Sequence, residues 1–177
     1  YGVLDFAGGT VVHMSAGWAA LAGALFLKKR TEIIHDPSRI SYVILGTALL
    51  WFGWFGFNAG SAVSSSSLAV QAFANTTVAS AAAAIAWGFI EKIKGRKLSA
   101  MGVSIGAVVG LVAITPAAGF VTVPHSILIG IVAVAVSSFV VDWRGKTYID
   151  DTLDVFPCHG VGGMVGMVLT GVFATPT

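Results

Sequence analysis

From Phe6 to Leu27 the chain carries no Lys, Arg, Asp or Glu. At about 1.5 Å per residue, a helix of that length crosses the roughly 30 Å hydrocarbon core of a bilayer. One ionisable side chain, His13, sits inside it. An ionisable group at membrane depth costs free energy unless it faces a cavity or a partner, so it marks a candidate site. For a lone histidine, a bond to a neighbouring carbonyl or hydroxyl is an equally good account. The chain supplies a second one near its other end, in Asp154-Val155-Phe156-Pro157-Cys158-His159-Gly160.

The rest of the chain repeats the pattern. Of 177 residues, 56% are hydrophobic and 10% charged, against about 25% charged in soluble domains. Six apolar segments are expected to be helices: Phe6–Leu27, Tyr42–Ala59, Leu68–Ile90, Met101–Ala118, Val123–Val141 and Phe156–Ala174. The fold class is an all-α, polytopic membrane bundle. The single Cys158 reads as a packing residue. Because the chain opens at Tyr1-Gly2 almost directly into a span and ends at Thr177 just after one, we read it as part of a longer protein.

All ten Lys and Arg fall in three loops. Lys28, Lys29, Arg30 and Arg39 lie between the first and second segments. Lys92, Lys94, Arg96 and Lys97 lie between the third and fourth, and Arg144 and Lys146 between the fifth and sixth. Gly60–Ser67 and Gly119–Thr122 are uncharged. The positive-inside rule makes the three basic loops cytoplasmic. Seven of the eight carboxylates accompany them, leaving Asp5 alone on the outer side. His35 and His125 are expected at membrane edges. Ser64–Ser67 reads as an outer turn capping the third helix, and Thr115-Pro116 and Val123-Pro124 as helix ends or kinks. Ala79–Ala84 reads as a face for close helix packing.

Two patterns point toward function. His13 is followed by Gly17, Gly23 and Phe26, and His159 by Gly163, Gly171 and Phe173, each histidine having an aspartate upstream (Asp5, Asp154). The first segment runs out-to-in and the sixth in-to-out, as in an inverted repeat, a transporter device with its site at the repeat interface. In the second segment, Leu50, Trp54, Phe57 and Ser61 share one helix face. Taken alone, that face is better read as a packed core stripe with a Trp in the interfacial belt.

Taken together, Asp5-Phe6-Ala7-Gly8-Gly9 with His13, the Gly53–Ser61 run, and Asp154-Val155-Phe156 with His159-Gly160 resemble the ammonium transporter family (Amt/Mep/Rh), on its Amt side. The resemblance covers essentially the whole chain and corresponds to helices five to ten of an eleven-helix fold built from two inverted halves. It implies that residues 1–177 are a partial ammonium transporter domain, lacking the first four helices and the last. It implies that His13 and His159 are paired histidines sharing a hydrogen bond in a narrow apolar pore, and that Leu50 and Trp54 line this pore. Phe57 would be a gate aromatic, Ser61 the hydroxyl of an outer recruitment site, and Asp5 an electrostatic support for the incoming ion.

The function implied is passage of ammonium or ammonia across the cell membrane by a multi-pass homotrimer, with a PII-type cytoplasmic protein as regulator. The resemblance implies no enzymatic activity, cofactor, metal or nucleic acid. Two alternatives share the fold: an ammonium sensor signalling to a partner, and an Rh-type ammonia or carbon dioxide channel. One geometric demand follows. His13 lies roughly 10 Å below the outer end of its span, while His159 begins its own span on the inner side. For the rings to meet, the sixth helix must start below the membrane face, with Asp154 as its expected N-cap.

Overall fold

The computed structural model describes residues 2–31 and 39–175, so His35 falls outside the described residues. Six helices follow one another, with no strand among the described residues. They are α1 (Gly9–Leu27), α2 (Ile40–Gly60), α3 (Ser67–Ile93), α4 (Ala100–Ile114), α5 (Val123–Arg144) and α6 (Phe156–Phe173). The chain is an integral membrane protein: five of these helices are long and apolar enough to cross a bilayer.

The fourth segment departs from expectation. It was expected to run as a full span to Ala118, but α4 has 15 residues and stops at Ile114, with turns over 115–120. Pro116 has no N–H to continue the ladder, and its ring opposes helix continuation. At about 22 Å, α4 is shorter than a bilayer core. It is instead the centre of the bundle, with Leu111, Val112, Ala113 and Ile114 fully buried.

Small residues set the packing around α4. A Cβ on Gly106 or Gly110 would collide with α3 at Ala83 and Ala79, and one on Gly130 of α5 would meet the Ala79 carbonyl. Close backbone approach of this kind gives dispersion contact where lipid offers no hydrophobic drive. Polar side chains add inter-element bonds. Asn58 Nδ2 donates to Thr76 Oγ1 (3.0 Å), Ser80 to the Ala107 carbonyl (2.9 Å), and Asn75 Nδ2 to the carbonyls of Ala118 (2.9 Å) and Val121 (2.7 Å). By contrast, α1 and α2 leave Phe26, Leu49 and Phe52 exposed, as apolar helices with no polar stripe do beside lipid or further protein.

Ion pairs gather the basic loops at one end of the bundle. Arg30 grips Asp150 through Nε (2.7 Å) and Nη2 (2.8 Å), tying the end of α1 to the loop before α6. Lys94 (2.7 Å) and Arg96 (2.8 Å) both reach Asp142 at the end of α5. The first residues of the chain meet the α4–α5 turn at the opposite end, where Phe6 N–H donates to the Pro116 carbonyl (3.0 Å). Ser66 does occupy the N-cap of α3, but its hydroxyl accepts from Ser64 (2.9 Å) and caps no helix N–H. His125 is half-buried at the start of α5, stacked on Phe173 at 4.7 Å.

Candidate functional site

The helices bearing the two histidines begin in the same unusual way. Each opens with a wide, π-type turn, Gly9–Met14 in α1 and Phe156–Val161 in α6, and each turn contains its histidine. Such turns are rare and recur at functional sites. Before α1, the Asp5 carboxylate accepts from three backbone N–H groups: Gly8 (3.1 Å), Gly9 (2.6 Å) and Thr10 (2.9 Å). These donors would otherwise be orphaned at a helix start. Before α6, Asp151 Oδ2 accepts from Phe156 N–H at 2.7 Å. Asp154, the expected cap, accepts instead from Arg144 Nε (2.6 Å).

The internal repeat keeps its histidine register but pairs a different aspartate with Asp5. Asp5 and Asp151, not Asp154, each stand eight positions before a histidine. Gly8 (φ 102°) and Asp154 (φ 52°) occupy equivalent positions, both in the left-handed region that turns the chain into the helix. The contacts repeat as well. Gly17 packs on the Gly160 backbone, and its counterpart Gly163 packs on Gly9 and Met14, the counterpart of Gly160. Both helices thus begin beside each other's first turns, which meets the demand that the rings approach although their helices enter from opposite ends.

The rings of His13 and His159 lie 5.5 Å apart between centroids, tilted by 48°. Among the described residues, the hydrogen bond made by the His13 ring runs to Thr115. The ring Nε2 lies 3.2 Å from Thr115 Oγ1, which also accepts from Trp54 Nε1 (3.0 Å). Trp54 stacks against His13 at 5.1 Å and 20°, and Phe57 leans on it at 5.7 Å. His13 is buried and His159 half-buried. A groove of about 580 Å³ runs past both rings, lined otherwise by Leu50, Trp54, Phe57 and small or apolar neighbours.

Ser61 lies one turn beyond Phe57, exposed, and donates to the Phe57 carbonyl (2.8 Å); it is not part of the groove lining. Asp5 is also outside the groove, holding the start of α1. No cluster of three or more His, Cys, Asp or Glu suited to a metal occurs among the described residues.

Residues 1–177 match, along their whole length, the model of the Ammonium Transporter Family. The chain belongs to the ammonium transporter family. It is 54% identical over 176 residues to the ammonium transporter of Aquifex aeolicus, covering 99% of this chain and 42% of that protein. With ammonium transporter Amt1 of Archaeoglobus fulgidus the identity is 48% over 178 residues, covering 99% and 45%. The crystal structure of Saccharomyces cerevisiae Mep2 superimposes with a TM-score of 0.92 at 41% identity, covering 98% of this chain and 40% of that one. A structure described as a sensor Amt protein superimposes at 0.91 with 33% identity, covering 98% and 45%. The chain spans less than half the length of each of these relatives.

Within this family segment, the structure brings together five of the seven expected site residues: His13, His159, Leu50, Trp54 and Phe57. Two residues beside them were not anticipated from sequence. The doubled eight-position Asp–His spacing was the available signal for Asp151. A Thr before Pro at a helix end gives no such signal for Thr115, which meets His13 where Gly9 seats α1 against the Pro116 ring.

Proposed function

We propose that this segment forms part of the path by which a full-length ammonium transporter moves ammonium across a membrane. On this reading residues 1–177 are a partial ammonium transporter domain. Ammonium is recruited outside, loses its proton, and passes as ammonia along the groove beside His13 and His159. Ser61 serves the outer hydroxyl site, Phe57 the gate, and Leu50 and Trp54 the wall. Asp5 acts electrostatically through the amides it holds.

The observation that carries this reading is a pair of adjacent histidines in an otherwise apolar, aromatic-walled groove. An apolar groove does not replace the hydration of a cation, since a bare charge in low dielectric is penalised by several kcal/mol or more. Neutral ammonia escapes that penalty. Imidazoles accept and relay protons near neutral pH, and at membrane depth they are affordable only with partners such as each other. Potassium has no proton to lose, so the same route excludes it.

The assembly proposed is a homotrimer with one pore per subunit and a PII-type cytoplasmic regulator. The sensor reading has support in the likeness to the sensor Amt protein. The higher identity to proteins named transporters favours transport. Full-length protein in proteoliposomes, given an ammonium gradient, tests it: we expect ammonium-dependent flux well above empty liposomes. Ammonium binding without flux supports the sensor reading instead.

A further inference from the structure

We propose that Thr115 is a positioning residue that holds His13 as its Nε2–H tautomer, leaving the ring's lone pair on Nδ1. A hydroxyl has one proton to give and two lone pairs with which to accept. Thr115 Oγ1 has three partners within hydrogen-bonding distance: the Leu111 carbonyl (2.8 Å), Trp54 Nε1 (3.0 Å) and His13 Nε2 (3.2 Å). The Leu111 carbonyl only accepts, so it takes the hydroxyl proton. Indole Nε1–H only donates, so it occupies one lone pair. The remaining lone pair requires a donor, and His13 Nε2 must therefore carry hydrogen.

The alternative, with the hydroxyl proton directed at His13, takes from the Leu111 carbonyl the 2.8 Å bond that the hydroxyl gives it. The backbone N–H one helical turn on, that of Thr115, has turned to Val112 (3.2 Å), and the next residue, Pro116, has no N–H. Leu111 is fully buried, where an unpaired carbonyl is disfavoured. The stop at Pro116 thus frees a carbonyl, the carbonyl orients the threonine, and the threonine with Trp54 sets the histidine. Any hydrogen bond between the two rings through Nδ1 of His13 then has His159 as donor. The pair becomes polar in a defined direction, with its acceptor on the α1 side.

The inference rests on the transport reading for its importance, but its test does not. Full-length protein labelled with ¹⁵N-histidine in lipid is examined by solid-state NMR, His13 signals being those lost in His13→Gln. We expect His13 to show a pyrrole-type Nε2 and a pyridine-type Nδ1 in the wild type and in Thr115→Ser, which keeps the hydroxyl. In Thr115→Val a second, Nδ1–H population should appear. A wild-type His13 found as Nδ1–H overturns the proposal, and this result needs no variant to fold. So does an unchanged His13 spectrum in folded Thr115→Val. Absence of ammonium flux in the wild type would sink the transport reading alone.

Discussion

Gly17 of α1 lies so close to Gly160 of α6 that a Cβ on Gly17 would overlap the Gly160 backbone. This contact brings the two histidine-bearing helices together just beyond the rings themselves. Overpacking a tight contact typically costs about 1–3 kcal/mol. Gly17→Ala should destabilise the full-length protein by about that much and reduce ammonium flux, since the helices must part to accept the methyl. Gly23 is the control: it is in the same helix with nothing within 4 Å of its missing Cβ. Gly23→Ala should be neutral, or stabilising by up to about 1 kcal/mol from the loss of backbone freedom. Thermal unfolding and flux of the two variants check this, and equal effects would remove the significance given to the Gly17 contact.

The two aspartates preceding the histidines are predicted to differ in weight. Asp5 accepts from three backbone N–H groups, and the Asp151 contact to a helix N–H is one. Leaving a buried donor unpaired costs about 1–3 kcal/mol. Asp5→Ala should abolish ammonium flux, whereas Asp151→Ala should reduce it less. Flux per folded protein gives the comparison. Normal transport by Asp5→Ala would show that α1 needs no such support.

Legibility in the sequence followed physical contrast. The end of α1 was found to the residue, because the step from apolar to basic is steep at Leu27-Lys28, whereas α3 and α5 each run three residues past the expected Ile90 and Val141, since a helix continues through charged residues once it leaves the apolar core. The early end of α4 was obscured because Ala117, Ala118 and Phe120 continue the apolar run while the backbone has already turned. Hydropathy does not register a missing N–H. Helical spacing, which is local, put Trp54 and Phe57 on one face, and the family resemblance put that face in the site. Thr115 was not visible, since its partners His13 and Trp54 are far away in sequence. Asp151 was hidden among Asp150, Asp151 and Asp154, three neighbours with three tasks: an ion pair with Arg30, a bond to a helix N–H, and a bond to Arg144.

The clamp at the basic end should respond to acid. Hydrogen bonds from Arg30 hold the Asp150 carboxyl down at about 2, below its ordinary 3.8. A carboxylate depressed in the folded state adds stability that is fully present above its unfolded value and disappears as pH falls through its folded one. The wild type should therefore be more heat-stable than Asp150→Asn above about pH 4. The gap should close as pH falls from about 4 to 2. Melting temperatures of both proteins across that range test it, and a gap independent of pH would mean that Asp150 contributes through something other than its charge.

The central claim is that the His13–His159 pair admits ammonia while denying whole cations. Placing a carboxylate at His13 puts an anion where the groove is otherwise uncharged, and an anion there attracts cations without requiring their deprotonation. Ammonium-induced and potassium-induced currents should be recorded from full-length protein in proteoliposomes for the wild type, His13→Asp and His13→Ala with His159→Ala. The account predicts ammonium current without potassium current in the wild type. It predicts potassium current appearing in His13→Asp, and loss of proton-coupled ammonium current in the double alanine variant. Unchanged ammonium current with unchanged exclusion of potassium in both variants would contradict it, and would reduce the pair to packing.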